Sequence, residues 1–264
     1  MALIYEELTR ELRQCVFDVH NALGTGYDEE TYHQAMIIRV EKSGIPLRSK
    51  EKCFVEHRSE KVHEFELDLI ADDKVIFELK SLQSDFLQPN FVQIISYLKL
   101  WQKRLGLLVN FGLPKAKIKR IPFTEKEKKK MENYDYIKDV IAPADRAYLW
   151  NLREAILTVF EMHGLGYGES IYQDLILAEL KHRKIKFSPK TIIQVEYEGR
   201  IIRNFEMNLP VVEGRFILGI TALQRQIEFY DIARIQTYLR ALKLQIGLVV
   251  NFGKEKLEIT GVRA

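Results

Sequence analysis

The chain repeats itself. "GTGYDEETYHQAM" (Gly24–Met36) aligns with "GLGYGESIYQDLI" (Gly164–Ile176), 140 residues further on. "FELDL" at Phe65–Leu69 meets "FEMNL" at Phe205–Leu209 at the same spacing. "GLLVNFG" at Gly106–Gly112 meets "GLVVNFG" at Gly247–Gly253 at a spacing of 141. Collinear matches with a single one-residue slip mean a duplication, so the chain must build two like units. The turn "VVEGR" (Val211–Arg215) lies between the two registers, and the extra residue is expected there. With 264 residues, 47% of them hydrophobic, each copy can bury a core of its own. The expected domains are 1–123 and 146–264, joined by a charged linker at 124–145.

Each copy reads alike. "LTRELRQCVFDVHNALG" has apolar residues at helical spacing and stops at Gly24. "ETYHQAMIIRVEKSG" is a second amphipathic helix ending at Gly44. "LRSKEKCFVEHR", "KVHEFELDLIADD" and "KVIFELKSL" are β-rich runs parted by polar turns, an antiparallel meander. A helix near Pro89–Gln102, the apolar strand "LGLLVNF" and the alternating strand "AKIKRIPF" complete the copy. The order α-α-β-β-β-α-β-β is an α+β unit.

Forty Lys and Arg against 37 Asp and Glu leave a net charge of +3, which makes no case for a polyanion partner by itself. Residues 146–264 hold 17 basic and 13 acidic side chains, so the second half is the more basic. The "EKEKKK" run at 125–130 reads as a solvated linker face. Cys15 and Cys53 have no CxxC neighbour, which argues against a zinc site or disulfide scaffold. His20, His33, His57 and His63 show no metal-ligand spacing. No apolar run is long enough for a membrane span, and a soluble cytoplasmic protein is expected.

One pair of repeated strands differs in an informative way. "VIFELKSLQ" (Val75–Gln83) keeps its apolar skeleton in "FILGITALQ" (Phe216–Gln224), but Glu78 becomes Gly219 and Lys80 becomes Thr221. Residues two apart on a strand share a face, so Glu78 and Lys80 point the same way. The short turn "ADDK" can bring Asp68 beside Glu78. Two such carboxylates form an oxygen-ligand site for Mg²⁺ or Mn²⁺. A lysine there could hold or deprotonate a water, or stabilise charge on a phosphate. Gln93 and Tyr97, four apart on the next helix, share a face that looks onto the same place. In the second copy Asp68 corresponds to Asn208 and Gln93 to Arg234, while Tyr238 and the NFG stretch persist. Joint loss of the polar set on a retained scaffold fits a site that lost its task.

These residues resemble the GxxExxY family of the PD-(D/E)xK nuclease superfamily. Gly26-Tyr-Asp-Glu29-Glu-Thr-Tyr32 and Gly166-Tyr-Gly-Glu169-Ser-Ile-Tyr172 both fit that pattern, and the likeness continues through Asp68, Glu78-x-Lys80, Gln93, Tyr97 and "GLLVNFG". The resemblance implies tandem restriction-endonuclease-like domains, each a mixed sheet with flanking helices. It also implies Mg²⁺-dependent phosphodiester cleavage of nucleic acid, DNA before RNA. Asp68 and Glu78 would be metal ligands and Lys80 would hold the water-activating position. The second copy would be a pseudonuclease. Glu29 has two readings: a third metal ligand, or a structural residue fixing the glycine turn, since Glu169 persists in the copy without the other ligands. Tyr32 and Tyr172 read as packing residues. The duplication also admits an intramolecular pseudo-dimer or a homodimer. A binding module without turnover, and a purely structural component, are the competing readings.

Overall fold

The computed structural model describes residues 3–125, 127–222 and 226–264. Lys126, within the basic run, and the repeated Leu223-Gln224 lie outside the described residues. The chain divides into two compact units, Met1–Glu125 and Lys126–Ala264.

In the N-terminal unit α1 (Glu6–Leu23) turns its apolar stripe, Leu12, Cys15, Val16 and Val19, into the core. Gly24, at φ 74°, stops it where a left-handed backbone is needed. Helix α2 (Glu29–Lys42) begins at Asp28, whose carboxylate accepts the Thr31 N–H at 2.8 Å as an N-cap. Five strands follow: β1 (Leu47–Ser49), β2 (Lys52–His57), β3 (Glu60–Glu66), β4 (Leu69–Ala71) and β5 (Val75–Lys80). Then come α3 (Gln88–Leu100), β6 (Leu105–Asn110) and β7 (Lys117–Pro122).

The expected meander is present but bent. β1 pairs with β4 and β2 with β3 in one continuous antiparallel register, Ser49 opposite Leu69 and Lys52 opposite Glu66. At the bend, where Lys50 takes φ 52°, the outer half leaves the main sheet as a separate hairpin. The main sheet has the order β1-β4-β5-β6-β7. Only β5 and β6 run parallel, with α3 as their crossover. This mixed sheet is sandwiched. Leu69, Phe77, Leu79 and Leu107 pack against α1 and α2, while Ile70, Ile76 and Leu108 pack against Ile94, Tyr97 and Leu98 of α3. Each such fully buried side chain contributes about 1.5–3 kcal/mol of transfer free energy.

The C-terminal unit repeats the plan: α4 (Pro143–His163), α5 (Glu169–His182), β9 (Phe187–Ser188), β10 (Thr191–Tyr197), β11 (Arg200–Met207), β12 (Val211–Val212), β13 (Phe216–Thr221), α6 (Phe229–Leu242), β14 (Ile246–Phe252) and β15 (Lys256–Arg263). It also differs. Residues 129–133, inside the stretch expected to be a solvated linker, form strand β8 (Lys129–Asn133), parallel to β15. Ile137 after it is fully buried against Gly261, where an added Cβ would stand 2.6 Å from its Cδ1. An apolar Ile within the charged stretch is what fastens it to this unit, giving a sheet of order β8-β15-β14-β13-β12-β9.

The extra residue of the second copy is not in the Val211–Arg215 turn. Both β4–β5 and β12–β13 are joined by three residues, 72–74 and 213–215. Ile70 opposite Ile76 corresponds to Val211 opposite Ile217. The surplus therefore falls between Met207 and Val211, at Asn208-Leu209-Pro210. That is the segment equivalent to Asp68-Leu69.

Candidate active site

Asp68 sits one step before β4. The ladder that sets Leu69 opposite Phe77 continues to place Asp68 opposite Glu78, so both point to the α3 face. The Asp68 Oδ2 accepts the Leu79 N–H at 2.8 Å, and Lys50 Nζ stands 3.6 Å from Oδ1. His33, which is buried, bonds through Nε2 to the half-buried Asp68's carbonyl at 3.1 Å and meets Ser49 Oγ at 3.0 Å. Asp68 is thus held through its backbone and its side chain.

Glu78 is the most deeply enclosed member, 1% exposed. Its Oε1 lies 2.6 Å from Lys80 Nζ, and its Oε2 is buried without a hydrogen-bond partner. Burial first, and then the charge of Asp68, push its carboxyl up to about 8 against the pull of Lys80. Burial works against the Lys80 ammonium, but Glu78, Glu29 and Asp68 outweigh it and hold Lys80 above the ordinary lysine range.

Glu29, the first residue of α2, reaches the same place from the other side of the strand end. Its Oε2 is 3.6 Å from Lys80 Nζ, and its Oε1 accepts the Ser81 N–H at 3.3 Å. Lys80 therefore bridges Glu78 and Glu29. Among the described residues no three His, Cys, Asp or Glu side chains form a ready metal cage. The glycine turn is fixed by other groups than Glu29. Tyr32 Oη donates to Gly24 O at 2.9 Å and accepts from Tyr27 N at 3.4 Å. Tyr172 repeats this with Gly164 O and Tyr167 N at 2.8 and 3.2 Å. These tyrosines are clamps as well as packing residues, stacked on Phe111 and Phe252 with ring centroids 4.5 and 3.8 Å apart.

Gln93 faces the site's rim. Its Nε2 donates to Tyr97 Oη at 2.9 Å, and Tyr97 passes the bond to Glu66 O at 3.1 Å. Burial, then Glu78, raise the Tyr97 phenol, so it remains a neutral donor.

Two groups escaped the sequence reading. Asn110 clasps the loop after β5: its Oδ1 accepts the Leu82 and Gly112 N–H groups at 2.8 and 3.0 Å. Its Nδ2 donates to Leu82 O and Ser84 O at 3.1 and 3.0 Å. Gly112 lets that loop close, since a Cβ there would stand 2.5 Å from Leu82 O. The repeated NFG stretch was the visible signal. Lys50 was the other, a second cation at the site, 3.6 Å from both Asp68 and Glu30.

In the C-terminal unit the polar set is gone. Gly219 and Thr221 occupy the Glu78 and Lys80 positions, and an added Cβ at Gly219 would stand 2.8 Å from Ile235 Cδ1. Asn251, at the Asn110 position, donates through Nδ2 to Glu258 Oε2 at 2.9 Å.

A family model described as the PD-(D/E)XK nuclease superfamily matches residues 6–121 and again 147–262. The chain belongs to that superfamily. Both copies are matched by that model; Asp68, Glu78 and Lys80 stand in the first, and Asn208, Gly219 and Thr221 in the second. No curated protein matches the chain. A solved chain titled "Crystal structure of SSO0001" is 18% identical with a TM-score of 0.31, over 45% of this chain and 59% of that one. A likeness of that degree carries no argument. No helix among the described residues is long and apolar enough to cross a membrane.

Proposed function

We propose that the N-terminal unit hydrolyses phosphodiester bonds of nucleic acid, with DNA the first polymer to test. The glycine-glutamate-tyrosine pattern supports the narrower GxxExxY kinship within the superfamily. The observation that carries the reading is Glu78 Oε2, a buried carboxylate oxygen with no partner, beside Asp68 and next to a bound ammonium. A buried carboxyl of that kind, whose ionisation burial opposes, is suited to exchange its proton for a cation.

The residues fit Mg²⁺ or Mn²⁺. Asp68 and Glu78 would hold it, hard oxygen donors on one face of two adjacent strands. When bound, the ion would neutralise phosphate charge and make water acidic enough to attack. The chain's own groups do the rest. Lys80, kept protonated by its carboxylates, is suited to offset charge on the pentacovalent phosphorus and to hold a proton for the departing oxygen. Glu29 positions that ammonium through its 3.6 Å contact. Asp68 is fixed by Leu79 N–H, so its carboxylate is set before substrate arrives. Asn110 and Gly112 keep the loop after β5 closed, so that Ser81 stays beside Glu29.

The test is Mn²⁺- and Mg²⁺-dependent cleavage of single- and double-stranded DNA and RNA by the full chain, beside Glu78→Ala and Lys80→Ala. Each variant should lose about 10²–10³ in rate, the size of one lost electrostatic stabiliser. Isothermal titration with Mn²⁺ provides a readout independent of turnover, and Asp68→Asn should abolish uptake. Variants as active as the parent would remove the assignment.

A further inference from the structure

The C-terminal unit has no counterpart of the Asp68 and Glu78 carboxylates, but other polar groups stand at the equivalent place. Thr221 is 4% exposed and its Oγ1 is buried without a partner. It shares strand parity with Gly219, whose face lies under Ile235 of α6, so its hydroxyl points to that helix. On α6, Arg234 stands where the first copy has Gln93, and its Nε is likewise buried without a hydrogen bond. Unsatisfied buried donors are costly and uncommon, and one on β13 with another on the helix that packs over it point to an acceptor from outside the chain. Two carboxyls share this neighbourhood. Burial raises the Glu169 carboxyl, Arg234 draws it down and Asp231 raises it again. Asp231 Oδ2 already accepts the Glu228 N–H at 2.9 Å.

The helix start adds a second element. Phe229 and Tyr230 are 80% and 69% exposed, and the corresponding positions of the first copy are Gln88 and Pro89. Tyr230 and Arg234 are four apart and share one face of α6. An exposed aromatic above a guanidinium and a hydroxyl combines a stacking platform with anion donors, as binding of a single strand requires.

We propose that this pocket is a non-catalytic subsite for single-stranded nucleic acid, in which Arg234 and Thr221 hold a backbone phosphate and Tyr230 and Phe229 stack the adjacent bases. The proposal deepens the nucleic-acid reading of the chain. Relative to the first copy, these differences replace a cation-holding set with an anion-holding one. Gly219 and Ile235 fill the space where Glu78 stands in the first copy, so the phosphate sits toward Thr221 and the strand end.

The test uses the full chain carrying Glu78→Gln, in EDTA, with a fluorescein-labelled oligothymidylate followed by anisotropy. Tyr230→Ala and Phe229→Ala should each weaken binding about tenfold, the usual loss for one stacked base. Arg234→Gln should weaken it similarly and lower the slope of log affinity against log salt by about 0.7, one phosphate contact to a single strand. The aromatic variants are at surface positions, so they remain informative if Arg234→Gln unfolds. Binding within twofold of the parent in the aromatic variants, an unchanged salt slope in folded Arg234→Gln, or no binding by the parent would overturn the subsite. With Glu78 intact, the wild type should cleave bis(p-nitrophenyl) phosphate, which carries no polymer strand for the subsite to hold. Absence of that cleavage in the wild type would sink the catalytic reading and leave the binding result standing.

Discussion

Removing the charge of Glu78 should stabilise the metal-free protein, increasingly so as pH rises. The carboxyl titrates at its ordinary value of 4.5 when unfolded and at about 8 when folded. The native state therefore retains a proton that the unfolded chain has released. Stability is unaffected below about pH 4.5, falls as pH climbs between the two values, and levels off above about 8. At about 1.4 kcal/mol per pH unit the full fall is about 5 kcal/mol. Lys80, 2.6 Å from Oε1, and local relaxation make that an upper bound. Half of it corresponds to about 10 °C in Tm for a unit of this length. The unit can be watched alone, because Trp101 lies in it and the only other tryptophan, Trp150, lies in its twin. In a Trp150→Phe background with EDTA, the Trp101 transition should fall steadily between pH 5.5 and 8.5. Glu78→Gln should flatten that profile and melt higher at pH 8.5. Millimolar Mn²⁺ should restore the parent at pH 8.5 and leave Glu78→Gln little changed. A flat parent profile, or a variant that follows the parent, would refute the buried-carboxyl argument.

Three further outcomes are expected. Asn110→Ala strands the Leu82 and Gly112 N–H groups and two carbonyls, and should cost about 2–4 kcal/mol in denaturant titration, with loss of cleavage beyond the loss of folded protein. Tyr32→Phe and Tyr172→Phe each remove a clamp on a glycine turn and should cost about 1 kcal/mol apiece, measurable as Tm shifts of their own units. Gly219→Glu with Thr221→Lys should give no second active centre: Ile235 must give way to the new side chain, so the change should destabilise by about 1–3 kcal/mol, and cleavage by a Glu78→Ala parent should not be restored.

The duplication, the helices and the strands that follow Asp68 and bear Glu78 were legible because they rest on local periodicity and on residues repeated along the chain. Glu78 and Lys80 share a face by strand parity alone, and the turn 72–74 was short enough to fix Asp68 opposite Glu78. What stayed hidden depends on distant segments meeting. Lys50 comes from the bend between β1 and β2, and Asn110 holds a loop 28 residues earlier in the chain. Glu29 reaches the site because α2 starts beside the end of β5, which no spacing within the helix shows. The slip of register was misplaced because "VVEGR" resembles an expanded turn, whereas hydrogen-bonded pairing places the extra residue at Asn208–Pro210. That position matters: the second copy differs from the first there both by an asparagine in place of the aspartate and by the added residue beside it.

β8 changes how the two copies face other chains. β7 has a free edge among the described residues, and it carries Lys117, Lys119, Arg120 and Pro122, side chains that discourage a foreign strand from adding on. The equivalent strand in the twin, "KLEITGVR", has no proline and is buried along most of its length. Such a strand would be adhesive if bare, and the connecting segment covers it. A fragment begun at residue 146 would expose that surface, so a truncation meant to isolate the C-terminal copy should keep 127–145 or expect aggregation.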